Sequence, residues 1–185
     1  MNIVDLSNLK KQDQTKSDLS DDFAEIYQQL APNICFYLNK VIGSFHQAQD
    51  LTQETFFRAW NSRESFKGKS SVKTWLFTIA TNLARDYMKS YSNRKSEEFL
   101  TLARIPWTGA GPAEVLEKKE AVKRLKRGIE DLPAEWRAPL LLVKFESMKY
   151  REAAEVLGVT LETVRMRIHR AHLALAKALK QGDKS

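Results

Sequence analysis

A single cysteine, Cys35, in 185 residues leaves no internal disulfide to form, and nothing points to an oxidising compartment. Cys35 lies in an apolar helical run, where a free thiol reads as a buried, inert side chain. No basic-then-apolar leader opens the chain, and no apolar run approaches membrane-spanning length. A cytoplasmic protein without membrane insertion is therefore expected. Histidine is scarce as well. His169 and His172 stand three positions apart, but no cysteine or carboxylate is placed to complete a site, so neither a metal nor another cofactor is expected. The chain has only seven glycines and five prolines, and two of each (Pro106, Gly109, Gly111, Pro112) crowd around Trp107. That cluster reads as a linker between helical units.

What is abundant is positive charge. Thirty Lys and Arg against 23 Asp and Glu give a net charge of +7, with a pI near 9.5. Such an excess favours a polyanionic partner and is shared by nucleic-acid, ribosomal and membrane-surface proteins. The length suits one ordinary domain or two small ones. Helical periodicity recurs on both sides of the Trp107 cluster. The expected class is all-α: two small helical domains joined by a flexible linker, the C-terminal one a helix-turn-helix domain.

The pattern divides as a polar tail at 1–22, a first domain at 23–95, a linker at 96–117, a second domain at 118–180 and a short polar tail at 181–185. In the first domain, Ser20 or Asp21 is placed to cap a helix striped by Phe23, Ile26, Tyr27, Leu30, Ile34, Leu38 and Val41 and closed by Gly43. Pro32 is expected to kink or interrupt it. In the next helix Leu51, Thr55, Phe56, Ala59 and Trp60 can face a core, which leaves Asp50, Gln53, Glu54 and Phe57 together outside. An exposed aromatic beside two carboxylates and an amide suits docking of another protein; an acidic outer face with a partly buried Phe57 fits the pattern equally.

A Gly-bearing loop, Phe66 to Ser71, then runs into a helix whose apolar positions are Val72, Trp75, Leu76, Ile79, Ala80, Leu83 and Tyr87. Thr74, Thr78, Thr81, Asn82, Arg85 and Lys89 collect opposite. That stripe of hydroxyls, an amide and cations suits bases and phosphates, or is simply a solvated face.

After the linker, Val122, Leu125, Ile129 and Leu132 restore the helical period until Pro133, and Ala134 to Glu146 forms another apolar helix with Pro139 inside. Tyr150 to Leu157 and Leu161 to Leu179, joined at Gly158, match a helix-turn-helix, with Ala154 allowing close approach and Thr160 capping the second helix. On that second helix Val164, Ile168, Ala171 and Leu175 point inward. Glu162, Arg165, Met166, His169 and Arg170 point outward, as a major-groove helix presents them, and Arg167 lies nearer the core edge.

These motifs, in this order, resemble a bacterial extracytoplasmic-function sigma factor. Asp50-Leu51-Thr52-Gln53-Glu54-Thr55-Phe56 with Arg58-Ala59-Trp60 is similar to the core-polymerase-binding helix of region two. Ser65-Phe66-Lys67-Gly68 with Thr74 to Asn82 is similar to the promoter-melting and minus-ten segment. Leu132-Pro133, Tyr150 to Ala154 and Thr163 to Ala171 are similar to region four. The resemblance implies a sigma factor, not an enzyme, that binds core RNA polymerase, recognises minus-thirty-five and minus-ten elements and promotes melting.

It assigns polymerase contact to Asp50, Gln53, Glu54 and Phe57. Capture of the minus-ten strand falls to Phe66, Lys67, Gly68, Ser70, Ser71, Lys73, Asn82, Arg85 and Lys89. Duplex reading falls to Thr163, Arg165, Met166, His169 and Arg170. It further implies an anti-sigma partner, a linker passing through the polymerase, and no additional C-terminal domain. Three departures from the family pattern bear on the minus-thirty-five sequence: Glu162 where glycine is usual, Met166 where serine is usual, and Ser147-Met148-Lys149 in place of Gly-Leu-Ser. Two competing readings are a helix-turn-helix regulator that leaves Asp50–Phe57 and Phe66–Lys89 unexplained, and a nuclease using Asp50, Glu54 and Asp86 without any catalytic motif around them.

Overall fold

The computed structural model describes residues 22–95 and 116–182, and every regular element among them is helical. The N-terminal group is α1 (Phe23–Ile42), α2 (Phe45–Ser62), a 3-10 turn (Arg63–Ser65) and α3 (Val72–Lys95). The C-terminal group is α4 (Leu116–Asp131), α5 (Ala134–Lys144), α6 (Tyr150–Leu157) and α7 (Leu161–Gly182). The N-terminal tail and the Trp107 linker fall outside the described residues.

Helices α1, α2 and α3 pack on one another, as do α4, α5, α6 and α7. The two groups also meet directly, α3 against α6 and α1 against α5. One hydrophobic cluster runs through both, from Ile34, Leu38, Phe56 and Phe77 to Leu141, Val156, Val164 and Ile168. Full burial of each such side chain contributes roughly 1.5–3 kcal/mol, which is what draws the helices together.

The first helix starts at Phe23, with Asp22 rather than Ser20 or Asp21 at the cap position and no side-chain bond there. Pro32 does not interrupt it. Pro32 lies on an exposed stretch, as does Gln28, whose carbonyl loses its helical partner, so the lost bond falls on the solvent side of the helix. Around the start of α1 the rings of Phe23 and Tyr27 meet Phe56 edge-on, with centroids 6.0 and 4.7 Å apart. Trp60, expected in the core, instead sits at the rim under Phe23 with the Arg63 guanidinium 4.0 Å from its ring, and is 38% exposed. Leu125 is exposed as well, whereas Ile129 and Leu132 on the same stripe are buried.

The larger correction concerns α3. Thr74 and Thr81, placed by periodicity on the polar side, are buried, and so is Phe77. Thr81 Oγ1 shares a 3.0 Å hydrogen bond with the buried Tyr37 hydroxyl, and Thr78 Oγ1 donates back to the Thr74 carbonyl at 2.8 Å. These hydroxyls are spent inside the protein. Helix α3 is flanked by α1 and α2 on one side and α6 on the other, so its buried surface exceeds a single stripe.

Burial pushes the Tyr37 phenol up to about 12, against a smaller opposing effect of the Thr81 bond. A phenol that stays neutral when folded but ionises near 10 when unfolded contributes stability that is complete below pH 10 and is lost as pH rises toward 12. Alkaline unfolding should therefore cost the parent on the order of 2 kcal/mol more across that window than it costs Tyr37→Phe. At neutral pH the variant should lose about 1 kcal/mol for the missing hydrogen bond. Chemical denaturation at stepped pH measures both.

Candidate nucleic-acid interface

Helix α2 opens with Ser44 as its cap, the hydroxyl accepting from the Gln47 amide at 3.5 Å, and turns Ala48, Thr52, Thr55, Phe56 and Ala59 inward. Thr52 and Thr55 hide their hydroxyls on the carbonyls four residues back, at 2.6 Å each. The opposite side shows Asp50, Gln53 and Phe57 to solvent, with Glu54 half-buried at its edge. Phe57 is 62% exposed, and Glu54 holds Arg58 at 2.6 Å. The four residues expected to form a docking patch do share one face, and its aromatic is open rather than tucked away.

The loop before α3 is bent at Gly68, whose φ of +64° lies in the left-handed region that a side chain disfavours. Lys67, Gly68, Lys69 and Ser71 are exposed; Ser70 is half-buried. Phe66 lies against Trp75 with ring centroids 4.9 Å apart, so both rings are partly withdrawn from solvent. Ser71 also caps α3, its hydroxyl accepting from the Thr74 amide at 3.1 Å.

Along α3, Asn82, Arg85 and Lys89 are exposed and share a face. Asn82 Oδ1 accepts from Arg85 Nη1 at 3.0 Å, which pairs the amide with the guanidinium. Lys73 is not part of that face. It lies about half a turn around the helix from Asn82. Its ammonium donates to the Glu146 carbonyl at 2.7 Å and lies 3.0 Å from the Glu146 carboxylate.

In the C-terminal group, Gly158 turns the chain between α6 and α7 with φ +64°. Thr160 then starts α7, its hydroxyl accepting from the Thr163 amide at 3.2 Å. Val164, Ile168, Ala171 and Leu175 are buried. Arg165, Met166, His169 and Arg170 are exposed on the far side, Met166 by 43%, while Thr163 is half-buried beside the cap. Glu162 lies 3.5 Å from Arg165, and Arg167 turns back to Glu135 at 3.7 Å. Tyr150, Arg165, Ile168, His169 and His172 line an open cleft where α6 meets α7.

The chain matches the sigma-70 region 2 family over residues 26–94 and the sigma-70 region 4 family over residues 123–175. It is 32% identical to the RNA polymerase sigma factor YlaC of Bacillus subtilis, across 85% of this chain and 91% of that one. The chain belongs to the sigma-70 family, in its extracytoplasmic-function branch. The ECF sigma factor SigW of B. subtilis is 29% identical over 95% of both chains. The sigma factor RpoE of Bartonella quintana, solved with the anti-sigma factor NepR, has the same fold, with a TM-score of 0.72 at 24% identity over 86% of this chain and 98% of that one. As a sigma factor, the protein is a promoter-recognising factor for transcription initiation, and its family comprises initiation factors and no known enzymes. Among the described residues no helix is long and apolar enough to cross a membrane.

Region 2 thus corresponds to α1–α3 and region 4 to the helices from α4 to α7. Where they meet, sequence reasoning missed three residues: Glu146, its partner Asn33, and Arg137. Glu146, just past α5, is 5% exposed and is the only charged residue so deeply buried among those described. Its carboxylate accepts from Asn33 Nδ2 of α1 at 3.1 Å and faces Lys73. Arg137 gives its bonds to carbonyls at helix ends: Lys40 of α1, and Glu130 and Leu132 at the close of α4. Burial pulls this guanidinium below its ordinary value, with Glu130 and Asp131 opposing. Beside it Lys40 and Glu130 pair at 2.6 Å. The partners that join the two regions lie some hundred residues apart in the chain, and no local pattern announces them.

The corner that delivers Glu146 has its own cost. Ser147 sits at φ 56°, in the left-handed region that a residue with a side chain disfavours. Ser147→Gly should relieve that strain and raise stability by about 1 kcal/mol. A denaturant midpoint shifted upward without a change in slope would show it; no shift would mean the serine side chain compensates locally.

Proposed function

We propose that this sigma factor docks on core RNA polymerase through the Asp50, Gln53, Glu54 and Phe57 face of α2, receives the melted minus-ten strand along α3, and reads the minus-thirty-five duplex with α7. The observation that carries this reading is the exposed set on α7. Arg165, Met166, His169 and Arg170 stand in solvent directly behind a buried row in a capped helix-turn-helix. Arginine is the usual donor to guanine edges and phosphates, and a thioether fits a thymine methyl. Thr163 is the helix-start residue of the same set.

For the single strand, Asn82, Arg85 and Lys89 offer an amide, a guanidinium and an ammonium on one face of α3, and Lys67, Gly68, Ser70 and Ser71 form the adjacent loop. A flipped base would meet the aromatic wall of Phe66 there. Lys73, on the other side of α3 and bound to Glu146, lies outside that face. The functional division is 23–95 for polymerase and strand, 118–180 for duplex and 96–117 as the connection, with tails at 1–22 and 181–185, although α4 already begins at Leu116 and α7 runs on to Gly182. The factor works in the cytoplasm, without covalent chemistry or a cofactor of its own. An anti-sigma factor is a further partner, on the analogy of the Bartonella sigma factor solved with NepR.

Run-off transcription with core polymerase tests the whole reading: a helix-turn-helix repressor would produce no transcript by itself. Within that assay, Asn82→Ala should leave polymerase binding intact and reduce permanganate-detected melting, whereas normal melting would refute its role. Arg165→Ala with Arg170→Ala should weaken duplex binding and flatten its salt dependence by roughly one unit for each phosphate no longer neutralised. An unchanged slope would remove α7 as the DNA reader.

A further inference from the structure

One carboxylate interrupts a cationic helix. Between Leu161 and Gly182, α7 carries Arg165, Arg167, Arg170 and two lysines, and Glu162 is its single acidic residue. Glu162 lies in the first turn, with 80% of its side chain open to solvent. Its carboxylate accepts from the Arg165 guanidinium, one turn on, at 3.5 Å. Val164 and Ile168 are buried on the opposite side, so Glu162, Arg165, Met166 and His169 leave the helix in one general direction.

Helix stability does not account for this side chain. The start of α7 is already held by Thr160, whose hydroxyl accepts from the Thr163 amide and shares a 2.8 Å hydrogen bond with the Thr163 hydroxyl. An ion pair as open as Glu162–Arg165 adds little, because water screens both partners. The other arginine–glutamate pair of α7 is of a different kind: Arg167 reaches Glu135 of α5 at 3.7 Å and ties two helices together. Glu162 and Arg165 both belong to α7. Beside the phosphates of a duplex a carboxylate is repelled. It suits the floor of the major groove instead, where bases present amino hydrogens.

A G·C pair shows the major groove two acceptors in a row, guanine N7 and O6, and then the amino donor of cytosine N4. A guanidinium fork followed by a carboxylate shows the complementary order of donor, donor, acceptor. An A·T pair alternates acceptor, donor, acceptor and cannot fill the fork. We propose that Glu162 and Arg165 form one composite reader of a single G·C pair in the minus-thirty-five duplex. The Arg165 fork donates to guanine N7 and O6, and the Glu162 carboxylate accepts from cytosine N4. Glu162 is thereby a specificity-determining residue: besides favouring cytosine, it sets a negative charge against the oxygen that guanine or thymine would place there. The pair formed in the free protein already holds Arg165 beside the carboxylate, so less ordering is left for binding.

This inference rests on α7 being the duplex reader, and its test keeps the two claims apart. Holoenzyme assembled from core polymerase and the full-length factor is presented with a duplex library randomised across both promoter elements, and the bound fraction is sequenced. The parent is compared with Glu162→Ala, Glu162→Gln and Arg165→Ala. Both positions are exposed, and thermal melting confirms that each variant is folded. The salt dependence of binding is recorded for the parent and for the chain with Arg165→Ala and Arg170→Ala together.

Each base contact is worth at least about fivefold in discrimination, so the parent should prefer G·C at one upstream position by about 25-fold or more. Glu162→Ala should lower that preference by at least about fivefold and leave the other positions alone. Arg165→Ala should act on the same position. Glu162→Gln should admit A·T there, because a side-chain amide pairs with adenine N6 and N7. If Glu162→Ala instead binds every sequence more tightly with all preferences intact, the carboxylate only repels the backbone and the proposal is overturned. Effects of Glu162→Ala and Arg165→Ala at different positions would overturn the composite reader. In either of these cases the double arginine variant would still flatten the salt dependence. Should α7 not read the duplex at all, that slope would stay unchanged as well, which identifies the failure of the underlying reading.

Discussion

Helix α3 has to satisfy neighbours on both flanks at once, and the rest of the structure follows from that constraint. On one flank Tyr37, Leu38 and Phe56 of α1 and α2 demand an apolar surface; on the other, α6 comes in with Ala153, Val156 and Leu157. The helix answers with Leu76, Phe77, Ala80, Leu83 and Ala84, and with threonines whose hydroxyls are spent on Tyr37 and on the helix's own carbonyls. What remains for solvent is a narrow strip holding Asn82, Arg85 and Lys89. A strand-binding surface on such a helix is small by necessity, and the presenting loop at Phe66–Ser71 has to extend it.

The same constraint explains why polar groups gather at the junction of the two regions. A purely apolar seam would fuse them permanently, since burial of a few large side chains already contributes several kcal/mol. Instead the seam carries Asn33, Lys73 and Glu146 near its middle, with Lys40, Glu130 and Arg137 where α1 approaches α5. A buried ion pair adds little net stability compared with an apolar contact of the same size, because desolvation offsets most of the Coulomb gain. Such a seam closes in a defined register and can still come apart.

Much of this was legible in the sequence, and the parts that were not share a cause. The helix-turn-helix could be read because its signals are local: Ala154, Gly158, Thr160 and the row Val164, Ile168, Ala171, Leu175 all act within one hairpin. The exposed face of Asp50, Gln53 and Phe57 was readable for the same reason, since one period of one helix defines it. Thr74 and Thr81 were misplaced because helical periodicity assumes one buried face, and α3 has more than one. Pro32 misled in a similar way: its local penalty is real, but the group it orphans is at the surface. Glu146 and Arg137 were invisible, since their partners lie far away in the chain and a lone Glu or Arg near a helix end ordinarily reads as solvated.

The account stands on α3 as the place where a promoter strand is received. A photoreactive side chain introduced at Asp86, exposed on α3 between Arg85 and Lys89, reports this most directly in the open complex formed with core polymerase. Crosslinks to the non-template strand within the melted region are the predicted result. Crosslinks confined to protein, or to duplex upstream of the melted region, would contradict it.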